Sequence, residues 1–151
     1  MMEITDSTVI NRPIDEVFAL AGDPAKDASW ATVMVESYRT SDGPLEKGAT
    51  LVQVLRFLGK RIAARCEITE YEAERRLGFT MVAGPNKGAH ERTFEAVDGG
   101  TRVTMLTRGD NAGLFKISDP LLKRLATRQM AADLAILKEL LEADIDPVAV
   151  A

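Results

Sequence analysis

The stretch that decides the fold is DPLLKRLATRQMAADLAILKELLEA, residues 119–143. Its apolar residues recur at steps of three and four, which predicts one long amphipathic helix. Asp119 is expected to be its N-cap, and Pro120 its first helical residue. At ~1.5 Å per residue such a helix is on the order of 35–40 Å long and needs a sheet to pack against.

The same pattern assigns the faces of this helix. Two neighbouring rows form the predicted packed face: Leu122, Leu125, Gln129, Ala132, Ile136 and Leu140, and beside them Ala126, Met130, Leu134, Leu137 and Leu141. The residues left for solvent are Lys123, Arg124, Arg128, Asp133, Lys138 and Glu139.

Almost everything before this helix is typical of strand. Residues 3–10 predict a first strand, and two short helices follow, one opened by Pro13 and one at residues 23–30. Six further strands are predicted at residues 32–38, 49–58, 61–71, 77–83, 89–97 and 101–108. Because short turns join them, the sheet should be antiparallel. Residues 144–151 are expected to be a disordered tail.

Composition restricts the class of protein. With 151 residues the chain suits one domain, expected at residues 1–143, although Met1 and Met2 both qualify as its start. The net charge of −4 argues against binding to nucleic acid. We expect a cytoplasmic protein, because no apolar run approaches the ~20 residues of a membrane span and no secretory signal opens the chain. One cysteine and one histidine argue against a metal site, and no nucleotide motif suggests a cofactor.

Several short motifs, in this order, resemble one superfamily. They are NRPIDEVF at residues 11–18, Trp30, GP at 43–44 with KGA at 47–49, EITEY at 67–71 before RRL at 75–77, GTRVT at 100–104 and LKELLE at 137–142. The chain resembles the START/Bet v 1-like (SRPBCC) superfamily, and within it the polyketide cyclase/dehydrase-like branch. The resemblance implies an α+β helix-grip fold, in which a seven-stranded curved antiparallel sheet wraps around a long C-terminal helix, with two short helices after the first strand. It also implies an apolar cavity for lipids, sterols or polyketides.

Strand alternation, anchored on the apolar phase of each strand, predicts which side chains face this cavity. The candidate ligand-binding residues are Trp30, Gln53, Leu55, Phe57, Ala64, Cys66, Phe79, Met81, His90, Arg92, Phe94, Met105, Thr107 and Gln129. A few polar groups among apolar ones are typical of a small-molecule site. Ligand access is expected near Trp30, through movement of the loops around Pro44 and residues 84–88.

The polar candidates leave alternatives open. Arg92 is either an anchor for a ligand's acidic group or half of a structural ion pair, with Glu91 or Asp110 as partner. His90 is either a general acid or base or, as we expect, a solvated rim residue. Cys66 is expected to be a small core residue. No pair of acids is expected on the cavity face, where only Asp6, whose strand phase is left open, is a candidate.

Three functions remain compatible with these residues. The first is a carrier or sensor that binds a small hydrophobic molecule. The second is a polyketide cyclase, aromatase or dehydratase, with His90 and Arg92 as the catalytic candidates. The third is an interaction module, such as a homodimer formed through an exposed sheet edge.

Overall fold

A curved sheet and one long helix form the two layers of the protein. The computed structural model describes residues 2–84, 87–111 and 113–143. The strands are β1 Met2–Ile10, β2 Met34–Arg39, β3 Thr50–Phe57, β4 Lys60–Glu72, β5 Arg76–Ala83, β6 Gly88–Val97 and β7 Gly100–Gly109. The helices are α1 Ile14–Ala21, a 3₁₀ helix at Pro24–Ser29, and α2 Asp119–Glu142. Met1 and the tail expected at residues 144–151 lie outside the described residues.

The seven strands form one antiparallel sheet in the order β1-β7-β6-β5-β4-β3-β2. Successive strands from β2 to β7 are neighbours, as short turns require, whereas β1 crosses over to pair with β7 from Met2↔Gly109 to Ile10↔Thr101. The predicted α+β helix-grip architecture, with its two short helices after the first strand, is confirmed. Neither α1 nor α2 contains an apolar segment long enough to cross a bilayer, and this statement covers the described residues only.

The long helix differs from its prediction in two respects. Its N-cap is Ser118, whose hydroxyl accepts a hydrogen bond from the Leu121 N–H, so Asp119 lies in the first turn instead. Its packed face is also rotated towards the second predicted row, because Leu134 and Leu137 are buried while Leu140 is exposed. The same rotation leaves Ala132 exposed and buries Asp133, which was expected in solvent.

Three of the motifs that carried the resemblance meet at one corner of the fold. The Arg12 side chain donates to the backbone oxygen of Leu141, and the Asn11 N–H donates to the Glu142 carboxylate. The Thr101 hydroxyl donates to the Arg12 carbonyl at 2.9 Å. A Cβ on Gly100 would lie 2.0 Å from the Ile10 carbonyl oxygen, so only glycine fits this close approach. These motifs therefore join β1, β7 and α2.

Candidate functional site

A cavity of about 350 Å³ lies between the concave face of the sheet and α2. Its walls are mostly aliphatic, aromatic and thioether side chains, with a few polar groups among them. The residues that line it from the sheet include Ile4, Gln53, Leu55, Phe57, Ile62, Ala64, Cys66, Phe79, Met81, His90, Arg92, Met105 and Thr107. Those from α2, the segment after α1 and the start of β2 include Leu122, Ala126, Gln129, Met130, Asp133, Asp27, Trp30, Ala31, Val33 and Met34.

All the candidate residues except Phe94 line this cavity. Phe94 does point inward, but it packs edge-on against the Phe18 ring of α1, with ring centroids 5.0 Å apart. It therefore belongs to the hydrophobic core beyond the closed end of the cavity. A ligand-binding role for the other candidates stays a prediction.

The cavity opens where the β3–β4 hairpin, the end of β7 and the segment before α2 come together. Gly88, Arg108, Asp110 and Phe115 line this end, and Arg108 and Asp110 are exposed. The rings of Phe57 and Phe115 contact each other edge-on across it, with centroids 5.6 Å apart. We call this end the mouth.

The expected position of the mouth was partly wrong. Gly88, from the predicted access loop at residues 84–88, does line the cavity, although residues 85 and 86 lie outside the described residues. Pro44 does not line it. Trp30 is only 4% exposed, so it lies in the wall rather than at the rim. The residues that mark the mouth lie at strand ends and in the segment before α2, where alternation does not position side chains.

Arg92 forms a buried ion pair in the cavity wall. Its Nη1 and Nη2 donate to the two carboxylate oxygens of Asp27 at 2.9 and 2.6 Å, and Nη1 also donates to the Ala21 carbonyl. The guanidinium lies 4.9 Å from the centroid of the Trp30 ring. The structural alternative for Arg92 is therefore correct, but the partner is Asp27 and not Glu91 or Asp110.

Asp27 is fully buried in the 3₁₀ helix, which the sequence had not assigned to the cavity. Burial raises the pKa of its carboxyl group, and the charge and hydrogen bonds of Arg92 oppose that rise. Gln53 adds a further bond, because its Nε2 donates to Asp27 Oδ2 at 3.1 Å. Arg92 and Gln53 thus satisfy Asp27, and the Arg92 guanidinium and the Gln53 Nε2 are already engaged before any ligand arrives.

His90 extends this network instead of lying in solvent. Its Nε2 accepts a hydrogen bond from Arg92 Nε at 2.9 Å, so Nε2 carries no proton. The proton is then on Nδ1, which donates to the Thr107 hydroxyl oxygen at 2.8 Å. Burial, and then the neighbouring Arg92 charge, hold the pKa of His90 well below its ordinary value. The expectation of a solvated rim residue was wrong, and His90 is neutral at pH 7.

Asp133 forms a second polar cluster, on the helix side of the cavity. Its Oδ1 accepts from the Thr32 N–H at 3.1 Å, from the Thr32 hydroxyl at 2.9 Å and from Gln129 Nε2 at 3.0 Å. Gln129 also donates to the Thr32 hydroxyl. Asp133 is 7% exposed, yet it makes no ion pair and its Oδ2 accepts no hydrogen bond from the described residues. With Asp27, it corrects the expectation that no pair of acids would lie on the cavity face.

The remaining polar groups of the wall are few. Burial raises the pKa of the Cys66 thiol to about 11. The indole N–H of Trp30 is buried without a hydrogen-bond partner among the described residues. Within the same part of the chain, no three metal-ligating side chains come together. The groups that can meet a ligand include the Thr107 O–H, since its oxygen already accepts from His90, and Asp133 Oδ2.

Comparison with known proteins agrees with this geometry. Residues 1–142 match the family described as polyketide cyclase / dehydrase and lipid transport. Among solved structures, a protein from Thermus thermophilus superposes with a TM-score of 0.78 at 19% identity, covering 95% of this chain and 99% of that one. The Zhui aromatase/cyclase from a Streptomyces species gives a TM-score of 0.77 at 14% identity, over 97% and 96% of the two chains.

A START superfamily protein from Mycobacterium smegmatis superposes with a TM-score of 0.75 at 10% identity, over 95% of this chain and 99% of that one. A search of the curated proteins finds no match. At these identities the solved structures establish the fold alone.

Proposed function

Since the chain belongs to the polyketide cyclase / dehydrase and lipid transport family, we propose that it is a carrier or sensor which binds one small hydrophobic molecule in the cavity. The observation that carries the proposal is the cavity itself, about 350 Å³ of mostly apolar wall open at one end. That volume suits a small organic molecule. Burial of its apolar body contributes about 25 cal/mol for each Å² removed from water.

The charges of the wall define the polar end of this molecule. Arg92 is neutralised by Asp27, so an acidic head group finds no unpaired cation there. Thr107 can donate one hydrogen bond and Asp133 Oδ2 can accept one. The ligand should therefore be neutral or cationic, with an acceptor such as a carbonyl for Thr107 and a donor such as a hydroxyl for Asp133. Of the polar anchors predicted from the sequence, Thr107 is retained, and Arg92 and Gln53 become supports for Asp27.

The test begins with native mass spectrometry of the purified protein, followed by denaturing extraction. A co-purified apolar molecule supports the proposal and identifies its class. A ligand-free protein is then titrated with a panel of sterols, fatty alcohols and aromatic polyketides, and binding is followed by Trp30 fluorescence, since Trp30 is the only tryptophan and lies in the wall. No binding across the panel, by fluorescence or by thermal shift, overturns the proposal.

Two variants examine the anchors. Thr107→Val and Asp133→Asn should each weaken binding about tenfold, because each removes or alters one hydrogen bond to the ligand. Asp98→Asn, in the exposed β6–β7 turn, is the control and should bind like wild type. Equal binding by all four proteins would remove Thr107 and Asp133 from the proposed site.

The second candidate function is a cyclase or dehydratase that uses the same cavity. The observation that favours it is the presence of a neutral His90 and of Asp133 without a cation partner on one apolar wall. A base or acid in such surroundings can move a proton at a bound ketone. If a polyketide substrate is turned over, His90→Ala should abolish the reaction, and undiminished turnover by this variant would exclude a catalytic His90.

The homodimer stays a prediction. β2 is an edge strand, and its Val35 and Tyr38 side chains are exposed. Sedimentation of wild type and of Val35→Lys distinguishes the two cases, because only a dimer formed at this edge becomes a monomer in the variant.

A further inference from the structure

Positive charge is concentrated around the mouth of a protein whose net charge is −4. We define the basic collar as Lys60, Arg61, Lys87, Lys116, Lys123 and Arg124, all exposed. They come from the β3–β4 hairpin, the segment before β6, the segment before α2 and the first turns of α2. The Phe57–Phe115 contact and the Gly88↔Gly109 pair bring these elements to the same end of the molecule.

The collar is not neutralised from within the protein. None of its six side chains makes an ion pair or a hydrogen bond with the part of the chain that the structure describes. Of the acidic residues at this end, Glu3 is paired with Arg108, Asp110 lines the mouth, and Asp119 lies in the first turn of α2. The hairpin even sets Arg56 directly opposite Arg61, an arrangement of like charges that disfavours strand pairing. An external anion would relieve this repulsion.

Large apolar side chains project from the same end. Leu58, Val82 and Leu121 are between 43% and 53% exposed, at the tip of β3–β4, at the end of β5 and in the first turn of α2. Leu58 has a φ of +49°, a left-handed conformation that disfavours a leucine. Leu58 is exposed and has a backbone conformation that suits asparagine or glycine better. The fold therefore does not require a leucine at this position.

Basic residues interleaved with exposed aliphatic ones are typical of surfaces that bind anionic membranes, since the charges meet lipid phosphates and the apolar groups enter the acyl boundary. An acidic protein partner would satisfy the collar but would not account for the exposed Leu58, Val82 and Leu121 side chains. We propose that this end of the protein docks on an anionic lipid bilayer with the mouth facing the membrane. The excess of acidic residues elsewhere would orient the molecule, because an anionic surface repels it.

Docking in this orientation places the cavity opening against the acyl region, where an apolar molecule could pass without crossing water. The inference goes beyond the proposed ligand function and does not depend on it, because the collar and the apolar tips are present in the ligand-free protein.

Flotation with vesicles tests the proposal. The ligand-free protein should bind phosphatidylcholine vesicles containing roughly a third phosphatidylglycerol, and not pure phosphatidylcholine vesicles. Binding should be largely lost in about 1 M NaCl, where the Debye length is about 3 Å. No binding to either vesicle, or equal binding to both, overturns it. Binding to poly-L-glutamate without any vesicle binding overturns it too, and assigns the collar to an acidic protein.

Matched variants distinguish the effect of the collar on vesicle binding from the effect of net charge. Lys60→Glu/Lys123→Glu should reduce vesicle binding more than 25-fold, from about fivefold for each positive charge lost. Lys47→Glu/Arg75→Glu makes the same change in net charge on exposed residues outside the collar and should bind like wild type. Equal loss in both double variants would overturn the docking geometry.

The contribution of the exposed apolar side chains to vesicle binding is tested without altering charge. Leu58→Asn suits the left-handed backbone and should fold, yet bind anionic vesicles about fivefold more weakly. Leu140→Gln, which removes an exposed leucine near the other end of α2, should have no effect. A Leu58→Asn protein that binds like wild type would show that the tip does not enter the bilayer and would overturn insertion.

Discussion

Arg92 on β6 and Asp27 in the 3₁₀ helix, 65 positions apart in sequence, form a bidentate ion pair with N–O distances of 2.9 and 2.6 Å. Both side chains are almost completely buried, at 3% and 0% exposure. The pair closes one side of the cavity and fixes the segment that carries Trp30. It also neutralises Arg92, and the other lining cation, Arg108, is paired with Glu3, which is why the proposed ligand lacks an acidic group.

Breaking this pair from either side should destabilise the protein. Arg92→Met or Asp27→Asn leaves a buried group without its partner, and each should lower the free energy of unfolding by about 3–5 kcal/mol. Urea denaturation measures the loss. Arg75→Ala, which removes the exposed pair with Glu72, should cost less than about 1 kcal/mol. An Arg92→Met protein as stable as Arg75→Ala would contradict a structural role for the pair.

His90 should make stability depend on pH below neutrality. Its pKa in the folded protein is lowered by burial and by Arg92, whereas in the unfolded chain it takes the ordinary value near 6.5. Between these two pKa values the unfolded chain binds a proton that the folded protein does not. The free energy of unfolding therefore falls as the pH drops below about 6.5, by at most about 1.4 kcal/mol per pH unit.

The measurement is the free energy of unfolding between about pH 7 and about pH 5, for wild type and His90→Gln. The variant lacks the titrating ring and should show the smaller slope. Above about pH 8 His90 is essentially neutral in both states and contributes almost no slope. Parallel curves for the two proteins over the acid range would disprove the buried neutral state.

The Cys66 thiol should react slowly with alkylating reagents. With a pKa of about 11 the thiolate fraction at pH 8 is about 0.1%, against roughly a quarter for an ordinary thiol, so iodoacetamide should react about two-hundredfold more slowly than with a free cysteine. The urea-unfolded protein serves as the control and should react at the ordinary rate. Because Cys66 lines the cavity, a bound ligand should slow the folded protein further.

Leu58→Asn should leave the protein at least as stable as wild type. At a φ of +49° asparagine adopts the required backbone at less cost than leucine, so we expect a gain of up to about 1 kcal/mol. Thermal and urea denaturation check the value. A loss above about 1 kcal/mol would mean that the exposed leucine packs in the folded state, and the vesicle test would need a different variant at the tip.

The order and type of the elements could be predicted because alternation and three-to-four spacing report directly on local structure. The inward phase of Gln53, His90 and Thr107 followed from the same alternation. The N-cap was misplaced by one residue because Ser118 and Asp119 are both good capping residues, and only the bond to Leu121 decides between them.

The two buried acids could not be placed by hydrophobicity, which assigns every aspartate to solvent. A signal for Asp133 was present, since it lies three residues after Met130 and four before Leu137 on the packed row. For Asp27 the sequence showed only its position one helical turn before Trp30. Its partner Arg92 comes from a distant strand, and no local pattern contains that contact.

The pairing of β1 with β7 has a consequence for how the protein is made. The residues of β1 leave the ribosome about a hundred residues before their hydrogen-bonding partners, from Thr101 to Gly109. At a synthesis rate of roughly 5–20 residues per second this interval is on the order of ten seconds, during which the β1 edge has no partner strand. The crossover makes the contact order high and folding slow. The β1 edge therefore stays unpaired until β7 has been synthesised, and the part of the cavity wall that α2 supplies is added later still.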